Sequence, residues 1–123
     1  MSTKPARSSA LKDRLSKVNE ITITVTGRKS GRTISIPVWF VLEDNKLHLL
    51  PVSGSDTQWY KNVLENPSIQ IDAGREKGEL RVVPVTDPKE VSSIAENFRA
   101  KYGPSDVKKY YSKFDVAVIA DLH

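Results

Sequence analysis

The chain contains no cysteine, which excludes disulfides, thiol catalysis, zinc knuckles and Cys-ligated iron–sulfur clusters. Histidine is nearly as scarce: of the two, His48 falls inside a strand-like run and His123 is the last residue. A Ser-His-Asp arrangement would have to use His48, and no Gly-x-Ser-x-Gly elbow accompanies it. His48 therefore reads as a strand residue with its polar atoms satisfied. No spacing of carboxylates around one histidine suggests a metal ligand set, so no metal is expected. Long apolar runs are missing too. Val38-Trp39-Phe40-Val41-Leu42 has five residues, against the roughly 20 of a membrane-spanning helix, and the basic N-terminus lacks the apolar core of an export signal. The expectation is a soluble, cytoplasmic protein.

What remains is a chain of 123 residues, 38% hydrophobic and 28% charged, enough for one domain and too short for two. Its apolar residues recur at regular spacing, which argues against disorder, and no repeat or linker interrupts it, so residues 1–123 are expected to form a single domain. The net charge of +4 is uneven: residues 1–32 hold eight of the 19 cations and two of the 15 acids, so the rest of the chain is slightly acidic. A basic end invites an anionic partner. Nucleic acid is not expected, because Arg28, Lys29 and Arg32 gather at one turn and aromatics are not interleaved with them.

Residues 1–8 read as a loose Ser/Lys/Pro tail, and residues 9–18 as a basic helix with Leu11, Leu15 and Val18 on one stripe. That stripe packs on the body or, as the sharper alternative, makes weak contact with a membrane surface. Ile21 to Thr26 alternates as a half-buried strand does. Thr33 to Leu42 resumes the pattern with Pro37 inside it, which implies an edge or a bulge. Glu43 to Lys46 is a turn and Leu47 to Leu50 the returning strand. Asp56 or Thr57 caps a helix that Asn66-Pro67 ends. Ser68 to Ala73 and Glu79 to Val85 form a hairpin. Asp87-Pro88-Lys89-Glu90 starts a helix with Val91, Ile94, Ala95, Phe98 and Tyr102 at helical spacing, stopped by Gly103-Pro104. Ser105 caps a short helix through Tyr111, and Phe114 to Ile119 closes the chain as a strand. The expected fold is mainly β with flanking helices: six strands, joined largely by hairpins and hence antiparallel, curling into a small barrel.

Gly27-Arg28-Lys29-Ser30-Gly31-Arg32 is the densest functional signal. It lacks the Gly-x-x-x-x-Gly-Lys-Ser spacing of a phosphate-binding P-loop and a parallel-sheet setting. Its chemistry still suits phosphate, with two guanidinium forks, a lysine point charge, a hydroxyl and two flexible glycines; the alternative is a solvated basic hairpin. In Trp59-Tyr60-Lys61-Asn62-Val63-Leu64-Glu65-Asn66-Pro67, Trp59 and Val63 share one helical face, which by itself reads as core. Trp39 reads the same way.

Taken together and in order, these segments resemble the deazaflavin-dependent nitroreductase family, flavin- and deazaflavin-dependent oxidoreductases of split β-barrel fold related to the pyridoxamine phosphate oxidases. The resemblance rests on Thr26-Gly27-Arg28-Lys29-Ser30-Gly31-Arg32, Pro37-Val38-Trp39, Ser53-Gly54-Ser55 and the Trp59-to-Pro67 segment, and it spans residues 21 to about 74. It implies a six-stranded antiparallel split barrel of the FMN-binding-protein type. Arg28, Lys29, Ser30, Gly31 and Arg32 would hold the phosphate end of a cofactor. Val52, Ser53 and Gly54 would meet its ring, Trp59 and Asn62 of the second motif would also be cofactor-binding, and Trp39 would line the substrate pocket. Tyr110 and Tyr111, near the family's C-terminal aromatic, are the catalytic candidates. The implied activity is hydride transfer from reduced coenzyme F420 to a quinone, nitro compound or enone. FMN is the alternative cofactor and a non-catalytic flavin-binding module the alternative function. Relatives include dimers with the cofactor near the subunit junction, so a homodimer is a further expectation.

Overall fold

The computed structural model describes residues 6–74 and 76–122. The first five residues of the expected tail lie outside this range, as does His123, and the chain is already helical at residue 6. Helix α1 spans Ala6–Leu15, so it starts and ends about three residues earlier than the sequence suggests. Leu11 and Leu15 are 3% and 1% exposed, and Val18 follows them onto the core from beyond the helix. The Arg14 Nε donates to the Ala73 carbonyl at 2.8 Å and the Lys12 Nζ to the Asn45 side chain at 2.8 Å. The apolar stripe thus faces the body of the protein.

Strands β1 (Ile21–Thr26), β2 (Thr33–Val38), β3 (Phe40–Glu43), β4 (Lys46–Leu49), β5 (Ser68–Asp72), β6 (Lys77–Val85) and β7 (Ala117–Asp121) form one sheet in the order β2-β1-β5-β6-β7-β4-β3, antiparallel at every pairing. The period-2 pattern of β1 is realised directly: Ile21, Ile23 and Val25 are buried while the threonines between them are half-exposed. There are seven strands where the sequence suggested six. The run Thr33 to Leu42 is broken at Trp39, and its halves become the two opposite edges of the sheet. Val38 and Phe40 are two residues apart, about 7 Å at most by backbone geometry, so the sheet has to curl until its edges nearly meet. The result is a half-barrel closed through a single residue. Pro37 sits in edge strand β2, opposite Thr22 of β1, where its missing N–H costs no ladder bond on the open side.

Helix α2 (Gln58–Glu65) follows a 3₁₀ turn at Gly54–Asp56. Thr57 stands at the N-cap, but its hydroxyl accepts the Ser53 N–H at 2.8 Å instead of capping. Helix α3 (Pro88–Tyr102) begins as expected, with the Asp87 carboxylate accepting the Glu90 N–H at 3.1 Å. Gly103, at φ 97°, ends it and leads into α4 (Pro104–Tyr110). The last strand starts three residues later than the pattern suggested, leaving Phe114, Asp115 and Val116 in the segment before it. Two apolar clusters result. One fills the barrel with Ile23, Phe40, Leu47, Leu49, Ile69 and Ile71 against α1 and α2. The other lies between the outer face of the sheet and α3 and α4, built on Phe98, Val91, Ile94, Val107 and Tyr111.

Candidate functional site

The basic turn connects β1 to β2. The Gly27 N–H bonds the Arg32 carbonyl at 2.7 Å and the Gly31 N–H the Gly27 carbonyl at 3.0 Å. Gly31 takes φ 74°, a conformation that side chains disfavour. The glycine N–H groups are therefore spent in closing the turn. Arg28 folds back onto α2: its Nη1 donates to the Asn62 Oδ1 at 2.7 Å, its backbone N–H to the same oxygen at 3.1 Å and its Nη2 to the Gln58 Oε1 at 2.9 Å. Asn62 is 3% exposed, so this oxygen would otherwise be buried without a partner, a costly state. Lys29, Ser30, Gly31 and Arg32 remain exposed, with the Ser30 hydroxyl accepting the Arg32 N–H at 3.2 Å. Two motifs 30 residues apart in the chain thus lock together, leaving two cations and a hydroxyl turned outward.

Gln58 also lines a groove of about 580 Å³. Ile36, Pro37 and Val38 of β2, Trp39, Leu50, Val52, Thr57, Trp59, Tyr110, Tyr111 and Glu20 complete it. Trp39 stands where the sheet edges meet. Its ring lies flat on Tyr102 at 4.2 Å and 8°, and Tyr110 meets it edge-on at 5.5 Å. Tyr102 in turn fixes the break in the strand. Its hydroxyl accepts the Phe40 N–H at 3.1 Å and lies 2.7 Å from the Asn19 carbonyl and 2.9 Å from that of Phe40. The Lys101 Nζ donates to the same Phe40 carbonyl at 2.8 Å. Burial, with the Glu20 charge adding to it, pushes the Tyr102 hydroxyl up to about 12. Tyr111 is 5% exposed; burial first, and the neighbouring Tyr102 second, push its hydroxyl far above the ordinary tyrosine range. It therefore keeps its proton.

The segment expected to meet a ring is bound elsewhere. Val52 is exposed and lines the groove, but Ser53 and Gly54 are outside its lining. The Ser53 N–H goes to Thr57, the Gly54 N–H to the Pro51 carbonyl at 3.1 Å and the Ser55 N–H to the Asp115 Oδ1 at 2.9 Å. Gly54 has φ 56°, and a Cβ there would collide with the Asp115 carboxylate. The Ser55 hydroxyl adds a bond of 2.6 Å to Asp115, and these two bonds, with Lys113 nearby, hold the Asp115 carboxyl below its usual range. Lys113 bridges Asp56 at 3.1 Å and Asp115 at 3.6 Å.

Of the residues singled out in the sequence, the structure brings Trp39, Val52, Trp59, Tyr110 and Tyr111 to one groove. It joins Arg28 and Asn62 to that groove through Gln58 and leaves Lys29, Ser30, Gly31 and Arg32 on the adjacent turn. Asn62 presents its side chain to Arg28, and Trp59 is 4% exposed, mostly within the core, as its helical face suggested. Sequence reasoning missed Gln58, although its i, i+4 spacing from Asn62 puts both on one face of α2. It also missed Tyr102 and Asp115, whose contacts lie 60 or more residues away. His48 lies on β4, away from the groove, as a buried strand residue whose Nδ1 has no partner among the described residues. Among the described residues no cluster of His, Asp or Glu could hold a metal ion, and no helix is long and apolar enough to cross a membrane.

A curled antiparallel half-barrel with helices flanking it is the architecture of the FMN-binding split-barrel, or pyridoxamine-phosphate-oxidase-like, fold. The chain belongs to the family described as uncharacterized proteins conserved in bacteria, DUF2255, which it matches over residues 12–117. Its structure is similar to that of an F420-H2-dependent reductase, FDR-A, at 20% identity over 84% of this chain and 94% of that one, with a TM-score of 0.65. It is also similar to a provisionally assigned pyridoxamine 5'-phosphate oxidase from Listeria innocua, at 12% identity over 93% and 90%, TM-score 0.67. A third likeness is to HutZ, the heme storage protein of Vibrio cholerae, at 12% identity over 94% and 88%, TM-score 0.67. These likenesses are of fold. The family shown is DUF2255, and a likeness of fold shared by a reductase, a provisionally assigned oxidase and a storage protein does not single out the nitroreductase family that the two motifs resemble.

Proposed function

We propose that this chain binds a flavin-type cofactor, reduced coenzyme F420 in the first instance, and uses it to reduce a small planar acceptor such as a quinone, nitro compound or enone. One observation carries the reading. Arg28 is bonded to Gln58 and Asn62, so the cation-rich turn and the apolar Trp39 groove form one continuous track, polar at one end and aromatic at the other. The donor set suits such a ligand: Lys29, Ser30 and Arg32 offer charge-assisted bonds to phosphate, and the groove offers apolar walls to a ring. In this reading Arg28 is a positioning residue, since two of its guanidinium nitrogens are held by α2. Val52, Trp39 and Trp59 flank the ring, and Ser53 and Gly54 support that wall from behind.

The cofactor supplies the hydride. For a quinone, two electrons and one proton arrive as that hydride and a second proton comes from solvent or a hydroxyl, which leaves a hydroquinone and the oxidised cofactor. Tyr110, at the groove rim and 54% exposed, is better placed for that proton than Tyr111, whose buried hydroxyl is too weak an acid. The exposed side chains of Val52 and Tyr110 on the groove favour a homodimer that covers its open side, which sedimentation would detect.

The test is a paired fluorescence titration of the protein with F420 and with FMN, repeated on the Lys29→Ala/Arg32→Ala variant. Micromolar binding of F420 that the variant weakens tenfold or more supports the reading, and quinone turnover with the reduced cofactor separates an enzyme from a storage module. A preference for FMN redirects the assignment to the oxidase-like branch. Binding of neither cofactor overturns it.

A further inference from the structure

The two ends of the groove differ in charge. At the turn end stand Arg28, Lys29 and Arg32, reached through Gln58. At the Trp39 end Glu20 is the one ionised side chain in the lining. The carbonyl of the preceding residue, Asn19, lies 2.7 Å from the Tyr102 hydroxyl, and the Tyr102 ring is stacked on Trp39. The backbone that carries Glu20 is thereby pinned beside the indole. No ion pair among the described residues engages Glu20, so its charge faces whatever enters.

A planar molecule lying along Trp39 would meet this field at short range. A cation there gains twice, from the carboxylate and from the electron-rich indole face. An anion is repelled by both; Pro37, Val38 and Leu50 offer it nothing, the donors left to it in the lining are neutral, Thr57, Gln58, Tyr110 and Tyr111 among them, and the nearby Lys101 ammonium is turned to the Phe40 carbonyl.

We propose that Glu20 is a specificity-determining residue, selecting planar aromatic compounds that carry a positive charge over neutral ones, and neutral ones over carboxylates or sulfonates. As a statement about acceptors this rests on the reading above; as a statement about what the groove binds it does not. Glu20 is exposed, so the discrimination is that of one solvent-facing charge pair, about fivefold, and it shrinks as salt screens the field.

The probe is a matched pair of naphthalenes, one bearing trimethylammonium and one sulfonate, titrated against tryptophan fluorescence in the wild-type chain and in Glu20→Gln. The expected result is a cation about fivefold tighter than the anion at low salt, with the difference largely gone in Glu20→Gln and in high salt. Equal affinities, a preference that survives Glu20→Gln, or binding of neither compound overturns the proposal. The same charges on a naphthoquinone, assayed with the reduced cofactor, extend the test to catalysis. If the binding preference holds while no cofactor binds, the reductase reading fails and Glu20 keeps its role. If a cofactor binds and the two quinones react alike, Glu20 loses its role in choosing acceptors and the reductase reading stands.

Discussion

The inside of the barrel and the layer beneath α3 and α4 are both apolar, yet they are built on different rules. The barrel interior is mostly aliphatic, with Phe40, Trp59 and Tyr60 as its aromatic members, and its strand residues come from alternate positions, so that Ile23 of β1 and Ile71 of β5 are register partners. Each of its residues is specified by local period. The α3/α4 layer is aromatic: Phe98 meets Tyr111 edge-on at 6.0 Å, Tyr102 stacks on Trp39, and Tyr111 lies parallel to Phe114 at 6.1 Å. Its members come from three places in the chain: Trp39 between β2 and β3, Phe98 and Tyr102 of α3, and the Tyr111-to-Phe114 segment. The groove lies at the boundary of the two, with Trp59 belonging to the interior and Trp39 to the aromatic layer. The interior supplies a rigid frame, and the aromatic layer supplies the walls that a ligand would touch.

The sharpest way to break this division is Phe98→Ala. Phe98 is fully buried, and its loss is expected to cost about 3–5 kcal/mol and to weaken the near-ultraviolet circular dichroism, because Tyr102 and Tyr111 both rest on it. Ile71→Val in the interior should cost about 1 kcal/mol and leave that aromatic signal intact. If the spectrum is unchanged in Phe98→Ala, the aromatic layer is not a unit.

Next in size is Asn62→Ala, which removes the acceptor of two Arg28 donors. A loss of about 1–3 kcal/mol in denaturant melts is expected, together with weaker binding of inorganic pyrophosphate at the turn. Gln58→Ala, which frees only an exposed bond, should stay within about 1 kcal/mol. Tyr102→Phe keeps the stack on Trp39 but strands the Phe40 N–H, for an expected cost of about 1–2 kcal/mol. It should also bring faster hydrogen exchange at Phe40 than at Leu47, which belongs to the interior.

The smallest effect concerns pH. Burial holds the His48 imidazole below its ordinary 6.5, against the opposing fields of Glu43 and Glu90 and with Lys46 adding to the depression. The unfolded chain therefore takes up this proton before the native one, so stability is whole above pH 6.5 and declines as pH falls through that value. Urea midpoints on either side of pH 6.5 should differ more for the wild type than for His48→Gln. Equal differences would show that His48 does not carry the slope.

Much of the scaffold could be read directly from local pattern. The Asp87-Pro88-Lys89-Glu90 start of α3, the alternation of β1 and the edge position implied by Pro37 all depend on neighbours within four residues. The partnership of Gln58 with Asn62 was also open to a periodicity argument, but its target was not, because nothing local says that Arg28 folds back onto α2. The break at Trp39 was hidden for a related reason. Val38 to Leu42 is continuously apolar, and only the hydroxyl of Tyr102, brought from the end of α3, parts it into two strands on opposite edges. Likewise nothing local shows that the Asp115 carboxylate occupies the space beside Gly54.

Local pattern set the kinds of element, the buried face of β1, the start of α3 at Asp87 and the two motifs whose chemistry suits an anionic, ring-bearing ligand. These follow from propensity and period, which act over a single turn or pleat. Only the tertiary structure decided that the sheet has seven strands curled about Trp39, that Arg28 is turned inward while Lys29 and Arg32 face out, and that Glu20 stands at the far end of the groove. Each of those depends on a hydrogen bond or ring contact formed after the chain has closed on itself, across separations that no local pattern encodes.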